Sequence, residues 1–332
     1  MSEFAAHRPL VIGLVNNMPD AALKAAERQF RGLLKEAGGN VEIYLQHFFL
    51  PGVPRGEAGL LHLANSYSSI ESIWDTPVDG LIVTGAMPCA PVFEDEPYWA
   101  SFSHLCQWAE EQAVPVLWSC LAAHAAVRYI DGIARRRFDR KLSGVFECSR
   151  ASDHALLNDL PSRWRVPHSR YNDLAEADLA PAGYQVLSRL GSGSPDIFMK
   201  KRNSLFVFAQ GHLEYDRTTL AHEYRRDLSK FLTGECSIRP DIPEDYFDDA
   251  TECALLAGNG TTLAAAGTPD LKCLNAFLDS GSPAPAWRPP AVRLFSNWVK
   301  ILLEERSKRV TSKLFWATHA EQISSEIGWR VE

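Results

Sequence analysis

No stretch of this 332-residue sequence is apolar enough to span a bilayer, so a membrane-embedded protein is not expected. No CxxC pair occurs. The seven cysteines (Cys89, Cys106, Cys120, Cys148, Cys236, Cys253 and Cys273) are odd in number and scattered. That pattern speaks against a disulfide framework and against a cysteine zinc site, and free thiols suit a reducing compartment. Long basic runs are missing too, and the net charge is −7, so nucleic acid is not an expected partner. The nearest basic cluster is Arg135-Arg136-Arg137, with Arg140 and Lys141 close by. It reads as a solvated loop or as a contact for a phosphate-bearing ligand. There is no internal repeat. The N-terminus, MSEFAAHRPLVIGLV, has only a short apolar run and no cleavage-like region, which makes a cytoplasmic location the expectation. What is present, 46% hydrophobic and 23% charged residues, is the balance of a soluble chain with a substantial core.

Strand-like and helix-like segments alternate. PLVIGLV (9–15) is a continuous run rich in branched residues, as a buried parallel strand requires. Residues 21–37 carry apolar positions at helical spacing and stop at Gly38-Gly39. VEIYLQHF, from Val41, reads as a second strand. Residues 51–66 read as irregular, and SIESIWDTPV as a short helix or turn. DGLIVTGA (79–86) is another strand. A helix over 98–113, a strand over 114–119 and a helix after Cys120 follow. The pattern predicts an α/β fold with a three-layer, doubly wound, mostly parallel sheet. Beyond KLSGVFEC, shorter strands are expected in the second half of the same domain. The expected organisation is a catalytic domain over 1–249, an insertion or flexible connection over 250–286, and a C-terminal helical segment over 287–332 packing on that domain. The insertion has room for one short helix at LKCLNAFLD.

Within VLWSCLAAHAAV, Cys120 falls where a buried strand gives way to a helix. That is the carboxyl edge of the sheet, where open α/β proteins bind ligands. A helix N-terminus there favours a thiolate and can stabilise an oxyanion. The alternative is a small buried hydrophobe, a common fate for cysteine. Downstream, GHLEYD places His212 and Glu214 two residues apart after the strand-like run SLFVFAQ. On an extended segment both side chains would point the same way, so the histidine could move a proton while the carboxylate holds the ring. An HxE pair alone is as readily a surface loop. A cysteine elbow followed by HxE at a strand end is a stronger pattern.

Ten segments in order carry a resemblance: IGLVNNMP, DGLIVTGA, YW, SCLAAHAA, KLSGVFE, VPHSRYND, GHLEYD, EYRRD, PEDYF and LFSNW. On these the chain resembles the homoserine O-acyltransferases of the MetA type, relatives of the class I glutamine amidotransferase fold. The likeness covers about residues 10–300, apart from the region near 250–286. It implies acyl transfer from succinyl-CoA or acetyl-CoA to the hydroxyl of homoserine, in methionine-type biosynthesis. Cys120 becomes the acyl-accepting nucleophile, His212 the base and Glu214 its orienting carboxylate. Arg226 would grip the amino-acid carboxylate, with Ser169, Arg170 and Lys141 lining the substrate site. The oxyanion hole would use the N–H of Leu121 and a second N–H from the Gly85–Ala86 loop. No metal and no bound cofactor is called for, only acyl-CoA as co-substrate; a homodimer is expected.

The chain also departs from that family. Leu121 and His124 stand where the family has Trp and Gln, and Asp20-Ala21 where it has a lysine. Cys89 occupies the position at which acetyl-using members carry Glu and succinyl-using members Gly. Being small and neutral, Cys89 leans towards succinyl. These departures keep open the acylation of L-serine or another hydroxy amino acid. Amide hydrolysis and a non-catalytic role fit less well, given PHSRY, EYRRD and the joint presence of Cys120, His212 and Glu214.

Overall fold

The computed structural model describes residues 8–257 and 277–327; in the last helix, side chains are described through Arg309 and at Thr311. The main sheet has eight strands: β1 (Leu10–Val15), β2 (Ile43–Phe49), β3 (Ser68–Ser69), β4 (Gly80–Val83), β5 (Val116–Ser119), β8 (Gln185–Val186), β10 (Ile197–Lys201) and β11 (Leu205–Ala209). Their order is β3-β2-β1-β4-β5-β11-β10-β8. The strands from β3 to β11 run parallel, while β10 pairs antiparallel with both neighbours. This is the doubly wound, mostly parallel sheet that the sequence predicts.

Alternation along each strand divides the core between two faces. Leu10, Ile12, Leu14, Leu117 and Val207 join one cluster, which α1 (Asp20–Gly38) and the C-terminal helix cover with Phe30, Leu33, Phe295 and Trp298. Leu81, Val83, Trp118, Phe206 and Phe208 face the other way, under α3 (Trp99–Glu111) and α4 (Leu121–Asp131). Leu302 of the C-terminal helix packs so closely on Gly80 that a Cβ there would come within 2.7 Å of it.

Two segments differ from the sequence reading. Residues Glu57–Ser66, expected to be irregular, form helix α2. Its register depends on a distant partner: Asp20 Oδ2 accepts from Gly56 N at 2.8 Å, and the missing Cβ of Gly59 makes room for the same carboxylate. The region after KLSG supplies the expected short strands β8, β10 and β11 to the main sheet, but its first part does not join them. Strand β6 (Arg136–Arg150) and strand β7 (Arg163–Asp173) are long and antiparallel, and with β9 (Ser188–Leu190) they form a separate three-stranded sheet. A short α5 (Glu176–Leu179) follows β7.

Helix α6 (Thr219–Leu232) carries EYRRD, and α7 (Asp249–Ala257) opens the stretch read as an insertion. Described parts of that stretch are packed: Leu255 and Leu278 are buried with Tyr246 and Trp287. The helix expected at LKCLNAFLD lies mostly outside the described residues, as does Cys273. The last helix, α8, spans Arg288–Ile327. Among the described residues no helix is long and apolar enough to cross a membrane.

Candidate active site

Strands β5 and β11 are parallel neighbours, with Ser119 opposite Ala209. The residues just beyond their carboxyl ends therefore meet. Cys120 follows β5 directly, and its N–H donates to Ala209 O at 2.7 Å. Its backbone sits at φ 53°, ψ −118°, a region that non-glycine residues avoid. Such strain marks a side chain held in a required place. The turn sets the thiol at the N-terminus of α4, 9% exposed.

His212 and Glu214 lie in a turn past the end of β11, not on an extended segment as the sequence suggests. The turn still brings them together. His212 N donates to Pro167 O at 2.8 Å, and His212 Nδ1 lies 2.9 Å from Glu214 Oε1. The ring stacks on Tyr215 with centroids 4.1 Å apart. Cys120 is its other charged neighbour. Burial opposes a charge on His212. Interactions with Cys120 and Glu214 outweigh burial and raise the histidine well above its usual range. The arrangement therefore favours the protonated imidazole beside the Cys120 sulfur.

The loop after β4 closes the opposite side. A Cβ on Gly85 would lie 2.9 Å from Leu121 N and 2.5 Å from Leu121 Cβ. Only glycine allows this approach, and it brings the Gly85–Ala86 backbone beside the first N–H of α4.

Next to the triad lies a charged cluster only partly visible in the sequence. Glu223 accepts from Ser169 Oγ and, at 2.9 Å, from Tyr215 O–H. Lys141 Nζ sits 3.6 Å from Glu223 and 2.8 Å from Asp227. Arg226 Nη2 is 2.8 Å from Asp227 Oδ1, with its side chain half-exposed. Burial pushes the Glu223 pKa up, but Lys141, His212 and Arg226 together hold it down, so the carboxylate is ionised. The structure thus gathers His212, Lys141, Ser169 and Arg226. It adds Tyr215, Glu223 and Asp227, whose signal was present in GHLEYD and EYRRD.

Arg170 behaves differently from its neighbour Ser169. Its guanidinium is buried and donates to His168 Nδ1, Asn172 O, Asp173 Oδ1 and Ser194 Oγ. These bonds commit it to the protein interior, so lining the substrate site is not the use its geometry favours.

His124, one turn along α4, is 1% exposed and has no hydrogen-bond partner on either ring nitrogen among the described residues. Burial, aided by Arg170 and Arg135, pushes its pKa down to about 3, so the ring is neutral. Cys89 lies on the loop after β4, held by Glu96, whose Oε1 accepts from Cys89 N and Ala90 N at 2.9 Å each.

One group among the described residues has the composition of a metal site: buried Cys148, His168 and Asp196, with ligand atoms within 4.8 Å of one another. The hydrogen bonds favour another reading. Arg170 Nε donates to His168 Nδ1 at 3.2 Å, so the neutral ring carries its proton on Nε2. That atom faces Asp196 Oδ1 at 3.3 Å, leaving no lone pair for an ion. The pair lies close against Gly211, whose Cβ, if present, would come within 2.9 Å of both groups.

Comparison with known proteins places the chain in a family. The family model described as homoserine O-succinyltransferase matches residues 2–308. A homoserine O-succinyltransferase of Rhodopseudomonas palustris is 46% identical over 301 residues, covering 91% of this chain and 90% of that protein. One from Methylorubrum extorquens is 42% identical over 296 residues, covering 89% and 88%. Among solved structures, a glutamine amidotransferase of Methylobacillus flagellatus superposes with a TM-score of 0.51 at 15% identity, over 88% of this chain and 94% of that one. At that identity the likeness concerns the fold alone.

Proposed function

The chain belongs to the homoserine O-succinyltransferase family, and from that premise we propose that it carries a succinyl group from succinyl-CoA to the side-chain hydroxyl of L-homoserine through a thioester on Cys120. The observation that carries this reading is the contact chain Cys120–His212–Glu214 at the paired ends of β5 and β11.

In this reading Cys120 reacts as a thiolate and His212 as its imidazolium partner, which accounts for both half-reactions. The Cys120 thiolate attacks the thioester carbonyl, and the oxyanion forms beside Leu121 N and the Gly85–Ala86 backbone. When the tetrahedral centre collapses, the CoA sulfur leaves and takes the His212 proton. The acyl group stays activated, since one thioester has replaced another. Homoserine then enters, and neutral His212 removes the hydroxyl proton as the oxygen attacks the acyl carbon. Collapse releases the ester and restores thiolate and imidazolium. Glu214 holds the ring in one orientation throughout.

Arg226, with Lys141 and Ser169 nearby, is assigned to the zwitterionic end of the acceptor. The guanidinium suits the α-carboxylate and ionised Glu223 suits the α-ammonium. Cys89, on the loop facing the nucleophile, is assigned to the acyl pocket. Acyl-CoA is the only co-substrate invoked. We also propose a cytoplasmic homodimer; exposed Tyr44, Leu60 and Leu61 would suit a contact between copies, which sedimentation analysis would detect.

Initial rates with both substrates varied test the reading. Parallel double-reciprocal lines, with O-succinylhomoserine as product and L-serine as a poor acceptor, are expected. Glutamine hydrolysis without acyl transfer would overturn it.

A further inference from the structure

Beyond the triad, the structure holds a half-buried arginine with one unpaired N–H group turned away from solvent. Arg135 lies between α4 and β6, with its guanidinium 4.2 Å above the centre of the Phe93 ring. Its Nη1 is closed to solvent and has no hydrogen-bond partner among the described residues. Burying a guanidinium N–H without an acceptor is costly, so such groups ordinarily face a carboxylate or phosphate. The nearby acid, Glu96, is within electrostatic range of Arg135, but it forms no ion pair with it. Glu96 is instead turned onto the N–H groups of Cys89 and Ala90.

The position of this cation relates it to the reacting centre. Glu96 latches the far end of the loop whose near end, Gly85, abuts Leu121 beside the nucleophile. The charge of Arg135 is felt at His124, one turn beyond Cys120. His124 itself is neutral and cannot answer a carboxylate. Arg170 is already tied to Asp173 and to backbone oxygen.

Resting on the acyl-transfer reading above, we propose that Arg135 is a specificity-determining residue that binds the distal carboxylate of the acyl group. The acyl chain would run from Cys120 along the 85–90 loop, and its terminal carboxylate would meet Nη1. A CoA phosphate offers the same anionic oxygens. The whole pantetheine arm separates it from the thioester, however, and Nη1 lies inside the fold. The acyl carboxylate is the shorter reach.

Butyryl-CoA separates the two sources, because it keeps the phosphates and the four-carbon chain but lacks the carboxylate. The experiment follows acylation of the full-length protein by intact mass, without acceptor, for wild type, Arg135→Met, Arg135→Gln and Arg135→Lys. Loss of one charge-assisted contact predicts acylation by succinyl-CoA about 10- to 100-fold slower in Arg135→Met and Arg135→Gln. Butyryl-CoA should be unaffected or faster, and Arg135→Lys should restore most of the succinyl rate. Equal slowing with both donors, as a phosphate contact or misfolding would give, overturns the assignment, as does no slowing with either. Arg135→Gln keeps a polar side chain there should Arg135→Met fail to fold. A wild-type protein that neither donor acylates would instead overturn the thioester reading itself.

Discussion

Glu214 Oε1 lies 2.9 Å from His212 Nδ1, and both residues are almost closed to solvent. In a site this dry the carboxylate determines which way the imidazole faces and supports its positive charge. Glu214→Gln keeps the shape but not the charge. It should lower kcat about 10²- to 10⁴-fold and slow acylation and transfer alike, because both proton movements pass through one ring. Stopped-flow measurement of CoA release, beside steady-state kcat, checks this. A variant slowed in only one half-reaction would contradict the shared role.

Gly85 approaches Leu121 N more closely than any other residue could. In Gly85→Ala the new methyl has to push the loop away from α4. We expect kcat to fall about 10²-fold, as when one oxyanion donor is displaced. The melting temperature reports whether the fold survives; an intact fold with unchanged kcat would remove this loop from the oxyanion site.

Arg226 pairs with Asp227 at the half-exposed edge of the site. Arg226→Met should raise the KM for homoserine about 10- to 100-fold. Acylation by succinyl-CoA in the absence of acceptor should not change. Equal damage to both steps would show a structural role instead.

His124 predicts a pH effect on stability. Its pKa is about 3 when folded and 6.5 in the open chain. Between these values the unfolded chain binds a proton that the folded chain refuses, so stability is lost as pH falls. From about pH 6 to about pH 4 this single ring should cost about 2.5 kcal/mol. Urea denaturation of wild type and His124→Gln should differ in slope by that amount, with the variant less sensitive to acid. Equal slopes would mean that the ring is solvated.

Much of the main sheet was legible because its strands are buried on both faces and read as continuous apolar runs, as in LVIGLV and LFVFA. The helix at 57–66 was hidden because its start depends on Asp20, some forty residues earlier, and not on its own sequence. Strands β6 and β7 interleave charged and apolar residues, a pattern that does not reveal a second sheet. In the site, Cys120 and the HxE pair stood out by their places at strand ends. Glu223 and Asp227 did not, since an acidic residue on a helix reads as solvated until its partners are known. Arg170 looked like a substrate contact from PHSRY. Strand alternation instead turns it inward, away from the side on which Ser169 meets Glu223.

The central claim is that Cys120 carries the acyl group, and intact-mass analysis after brief exposure to succinyl-CoA without homoserine tests it most directly. The account predicts one succinyl adduct on the wild-type chain, located at Cys120, absent from Cys120→Ala and discharged by homoserine. An adduct that persists in Cys120→Ala, or steady turnover with no adduct at any time, would contradict it.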